Sequence, residues 1–155
     1  MPSENGSVEI FCSYSRKDEA HRKEFEAHVA LLRRENLITI WQDRKILGGE
    51  DWAGEIDSHL NSADIVTLFV SSDFLNSDYC YEKEMKRAVE RHDGGDACVI
   101  PIIARPVDWK GALFAKLQVL PKDVKAVTLW PNKDEAWLNV AQGIRRAVEE
   151  LKKRS

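Results

Sequence analysis

The chain has 155 residues, 43% hydrophobic and 32% charged, the make-up of one globular domain rather than a disordered segment. Its 23 Lys and Arg against 26 Asp and Glu leave a net charge of −3 with no basic stripe, which argues against nucleic acid as a partner. Three cysteines suit reduced thiols better than a disulfide frame, and no apolar run nears the roughly 18 residues of a membrane span.

Residues 1–7 are polar and read as a disordered tail. With neither a basic leader nor an apolar stretch at this end, no secretory signal is expected, and the expected address is cytoplasmic. The run 8–13 predicts a first strand, and 17–35 a helix with Phe25, Val29 and Leu32 on one face. A second strand follows at 37–41. Residues 43–51 form a charged, glycine-bearing loop, after which Trp52, Ile56 and Leu60 recur at four-residue spacing as a short helix. The continuous apolar run 64–70 is a strand of the kind buried on both faces of a parallel sheet. A third helix is expected over 78–92, closed by the turn Asp93-Gly94-Gly95-Asp96. Next come a buried strand at 97–103, an irregular segment at 107–121 carrying Trp109 and Phe114, and a last short strand at 124–129. The helix 134–153 turns Trp137, Val140, Ala141, Ile144, Val148 and Leu151 inward. Cys12 and Cys98 fall inside apolar runs and read as core.

Strand–helix alternation implies right-handed crossovers and a sheet covered on both faces. The expected fold is therefore α/β, a flavodoxin-like three-layer sandwich around a five-stranded parallel sheet. Residues 8–153 form one domain, whose charged helix end leaves open that it is one module of a longer protein.

Common chemistries of such folds are missing. No G-x-G-x-x-G follows the first strand, no P-loop lysine motif occurs, and no G-x-S-x-G elbow is present. His21, His28, His59 and His92 are scattered, so no metal-ligand set is expected. A phospho-acceptor receiver domain would need an acidic cluster after strand one and an Asp ending strand three. Those places hold Ser13-Tyr14-Ser15 and Ser71-Ser72.

A carboxylate early in a helix, just beyond a strand's carboxyl end, lies where open α/β sheets bind ligands. The third helix offers two. At about 100° per residue, Tyr81, Met85, Ala88 and His92 share an apolar face, with Glu82 and Glu84 on opposite flanks. Both can be solvated flank residues, Glu82 also favouring the helix N-terminus, and periodicity does not choose between them. On the same sheet edge, Ser15 or Asp18 can cap the first helix.

Phe11-Cys12-Ser13-Tyr14-Ser15-Arg16-Lys17-Asp18, Trp41-Gln42-Asp43-Arg44 before Gly48-Gly49, and Tyr79-Cys80-Tyr81-Glu82-Lys83-Glu84-Met85-Lys86-Arg87-Ala88 together resemble a Toll/interleukin-receptor (TIR) domain of the bacterial, NAD-cleaving type, over residues 8–151. The resemblance implies an NAD glycohydrolase, releasing nicotinamide and ADP-ribose or a cyclic form, with a role in bacterial antiviral immunity. It selects Glu84, followed by aliphatic Met85, as the catalytic residue. It places Tyr14, Arg16, Asp43, Ile46, Trp52, Tyr79, Cys80 and Trp109 around the substrate. One departure is that Tyr79-Cys80 precede Glu84 by five and four residues, where the family often has three or four. NAD is the substrate, so no cofactor is implied. The partners implied are NAD and further TIR copies, up to a filament, without nucleic acid or membrane. The same resemblance admits a non-catalytic TIR–TIR adaptor or a host-mimicking virulence factor.

Overall fold

The computed structural model describes residues 6–42 and 58–154. β-Branched and aromatic residues dominate four strands, β1 (Val8–Ser13), β2 (Ile38–Gln42), β3 (Ile65–Val70) and β4 (Cys98–Ile103). All pairings are parallel, in the order β2-β1-β3-β4, with Phe11 opposite both Trp41 and Val66, and Thr67 opposite Ile100.

Successive side chains on a strand point to opposite faces, so each strand feeds two cores. On one face Ile10, Ile65, Phe69 and Ile102 pack against helices α1 (Glu19–His28) and α2 (Ala30–Arg34) through Phe25, Val29 and Leu32. The long C-terminal helix, Lys133–Arg154, adds Trp137, Val140, Ile144 and Val148 to that face. On the other, Phe11, Val66, Leu68 and Val70 meet α3 (Ser72–Asn76), a π-helix (Tyr79–Met85) and α4 (Lys86–Asp93) through Phe74, Met85, Ala88 and Val89. The C-terminal helix is α5. Each large apolar side chain so buried stabilises the fold by about 1.5–3 kcal/mol. This is the expected sandwich.

Local chemistry places the breaks. The expected helix 17–35 divides at Val29, which is buried with φ −103° and ψ 13°. It ends on Asn36 at φ 60°, where Asn36 N–H bonds the Arg33 carbonyl and Leu37 N–H that of Leu32. That pair of bonds is a Schellman cap, which Asn tolerates. At the amino end of the described residues Ser7 is 1% exposed and Lys152 donates to the Gly6 carbonyl. The loop 43–51, with Trp52 and Ile56, lies outside the described residues. Residues 58–62 are helical, with Leu60 buried.

The expected fifth strand needs correction: the sheet has four strands among the described residues. Residues 124–129 contain no strand. Asp123 and Val124 take left-handed φ values of 63° and 48°, and Val127–Leu129 is a 3-10 turn. The outer edge of β4 also lacks donors for a partner. Leu120 alone bridges to Ile102, taking the Ile103 N–H and donating to the Pro101 carbonyl. Pro101 has no N–H to give, and the Val99 N–H is bound by His92 Nδ1 at 3.1 Å. No described helix is long and apolar enough to cross a membrane.

Candidate active site

Strand order reverses between β1 and β3, and the crevice outside the carboxyl ends of such a pair is where open α/β folds bind ligands. Three segments converge there. β1 ends on Ser13 and its loop runs to Asp18, the turn after β3 opens on Ser71, and Arg105 follows β4.

Alternation separates Ser13 from Tyr14. Ser13 shares the face of Phe11 and donates its hydroxyl to Glu84 Oε1 at 2.7 Å, both groups being buried. Tyr14 points the other way, at 0% exposure, edge-on to Phe69 and under the Arg22 guanidinium at 5.5 Å. Its ring is a core group. Arg16 is exposed.

Helix geometry sets the two glutamates apart in burial. Residues Tyr79–Met85 are wound as a π-helix, whose i→i+5 hydrogen bonds place more residues in each turn than the α-helix has. The wider turn brings Cys80, Glu84 and Met85 together on the buried side. Glu84 is 1% exposed, whereas the Glu82 side chain is 52% exposed and pairs with Lys86 at 2.6 Å. The extra residue between Tyr79-Cys80 and Glu84 is thus accommodated by the wider turn. Tyr79 and Trp109 are half-buried and pack on the same core as Cys80. Asp43, Ile46 and Trp52 lie outside the described residues.

A second set of charges ties the edge together, and sequence reasoning missed it. Asp18 is 0% exposed and receives Arg105 Nε at 2.7 Å and Nη2 at 3.1 Å, with Ser71 Oγ on the same carboxylate. His21 Nδ1 lies 3.2 Å from Asp18, and Arg105 Nη2 also reaches Asp73 at 2.6 Å. Burial pushes the Asp18 carboxyl up, but the hydrogen bonds from His21, Arg105 and Ser71 and the Arg105 charge outweigh it, holding it at about 2. The same carboxylates push Arg105 further above its ordinary range. Capping falls to Ser15, whose Oγ accepts from Lys17 N–H at 3.3 Å, and not to Asp18. The available signal was an arginine directly after a buried strand, at the edge where loops meet. Among the described residues, no group of three or more His, Cys, Asp or Glu could hold a metal ion.

The edge therefore holds two buried, oriented carboxylates, Glu84 on the Ser13 hydroxyl and Asp18 clamped by Arg105 and Ser71. The chain belongs to the TIR domain family, whose model matches residues 10–142. It is 50% identical over 139 residues to "Uncharacterized protein y4lF" of Sinorhizobium fredii, covering 90% of this chain and 43% of that protein. The chain thus spans less than half the length of that relative. The crystal structure of the TIR domain of the Toll-related receptor TRR-2 from Hydra magnipapillata is similar in fold, with a TM-score of 0.55 and 20% identity, over 88% of this chain and 97% of that one.

Proposed function

We propose that the domain is an NAD glycohydrolase in which Glu84 stabilises the ribose as its bond to nicotinamide breaks, giving nicotinamide and ADP-ribose or a cyclic ADP-ribose. The observation that carries this reading is the Glu84 carboxylate, 1% exposed and oriented by Ser13 Oγ at 2.7 Å, at the carboxyl edge of β1 and β3. Nicotinamide in NAD is a cationic pyridinium and departs neutral, so its departure needs no general acid. The demand is for negative charge beside a ribose that becomes oxocarbenium-like. A carboxylate fixed in place before the reaction meets that charge without reorganising, and so favours the transition state over the bound substrate.

In this reading exposed Arg16 takes the phosphates, Tyr79 and Trp109 supply aromatic surface for the pyridinium or base, and Cys80 forms the wall beside Glu84. Asp43, Ile46 and Trp52 are assigned to the nicotinamide side. TIR domains generally self-associate, and assembly, up to a filament, is proposed to order the cleft. The corresponding cellular role is an effector or signal generator in bacterial antiviral immunity, acting in the cytoplasm.

The test is incubation of purified protein with NAD, with free nicotinamide measured by chromatography. Release that disappears in Glu84→Gln supports the reading. No release at any protein concentration overturns it in favour of a non-catalytic interaction module or host mimic.

A further inference from the structure

Beyond β4 the place of a fifth strand is taken by a cavity of about 510 Å³. None of the residues assigned to the Glu84 site lines it. Its floor is apolar, built from Val99 and Ile100 at the start of β4, Leu117 and Leu120 of the returning segment, and Ala147 and Leu151 of α5. Gly143 lets that segment seat, because a Cβ there would stand 2.6 Å from Leu120 Cδ1. Its size is that of small-molecule sites, which run from about 300 to 1,000 Å³.

The polar groups at its border are His92, Lys116, Gln118, Arg146 and Glu150. Lys116, Arg146 and Glu150 border the cavity, and Lys116 also reaches Asp93 at 3.1 Å. His92 accepts the Val99 N–H on Nδ1, so the neutral ring carries its proton on Nε2 as a donor. Arg146, with Lys116 shared with Asp93 and the His92 donor beside it, suits a single anionic group over the apolar floor. The Glu150 carboxylate opposes a second one.

We infer that this cavity binds a small amphipathic monoanion, its apolar body on the floor and its carboxylate or sulfonate held by Arg146 and Lys116. The inference is independent of NAD cleavage, and its readout involves no turnover. The probe is anilinonaphthalene sulfonate, followed by fluorescence with the full chain, beside its uncharged counterpart N-phenylnaphthylamine. Saturable binding of one probe per chain is expected, with the uncharged compound about tenfold weaker, the loss of one charge-assisted contact. Arg146→Glu should weaken the sulfonate by at least as much, and Ala147→Trp, which fills the floor, should abolish binding with the melting temperature retained. If Ala147→Trp fails to fold, Gln118→Trp at the exposed rim takes its place. Wild-type affinity in both the charge-reversed and the filled variants overturns the inference. So does probe release on raising protein concentration, which would assign the cavity to a second copy of the chain.

Discussion

Replacing Asp18 by Asn removes one charge from the buried centre of the carboxyl edge while keeping its shape and one acceptor oxygen. The ordinary carboxyl value is 3.8, and Asp18 is held at about 2 in the fold. Each unit of depression is worth about 1.4 kcal/mol, so the ionised group contributes about 2 kcal/mol at neutral pH. Because the folded value is the lower one, this contribution is complete above the unfolded value and is lost as pH falls from about 4 to about 2. Asp18→Asn is therefore expected to be about 2 kcal/mol less stable near pH 7, or about 4–8 °C lower in melting temperature. The difference should narrow below about pH 4 and close near pH 2. Urea and thermal unfolding of both proteins across this range measure it. A difference that stays constant down to pH 2, or none at neutral pH, would refute the electrostatic account of this cluster.

Glu84→Gln should lower NAD cleavage on the order of a thousandfold with the melting curve retained, while Glu82→Gln stays near wild type. The reverse order of effects would move the role to Glu82. Ser13→Ala should slow turnover by roughly tenfold or more and leave KM nearly unchanged, since the hydroxyl orients Glu84 and does not bind NAD. A KM effect alone would make Ser13 a binding residue. Val at Gly48 and Gly49 should restrict the backbone of that loop and lower activity, and unchanged turnover and self-association would remove the loop from both roles. On the proposal that assembly completes the cleft, specific activity should rise with protein concentration. A rate strictly proportional to enzyme over a hundredfold range, with monomers by light scattering, would count against that.

Much of the fold was legible because burial on two faces leaves a plain mark. The run Ile65 to Val70 alternates between the two cores, and Trp137, Val140, Ile144 and Val148 keep the helical period along α5. The false fifth strand came from Val124 to Leu129, whose composition suits a strand while Asp123 and Val124 adopt left-handed backbone that no strand allows. Pro101 was the overlooked warning, since a proline inside a strand marks a sheet edge. At the site, the 100° period could not separate Glu82 from Glu84, because the helix there does not have that period. The surplus residue between Cys80 and Glu84 carried that information as a spacing anomaly. Asp18 and Arg105 are 87 residues apart, and no local pattern reports such a pair.

The closed edge of β4 constrains how copies of this domain can join. An open strand edge recruits another strand through its backbone, with little regard for side chains, and that is how sheets run on into aggregates. Here the three outward positions are held by an imidazole, a proline and a single leucine bridge. Copies meeting on that flank must recognise one another through side chains, and association of that kind can be specific, reversible and adjusted by single substitutions.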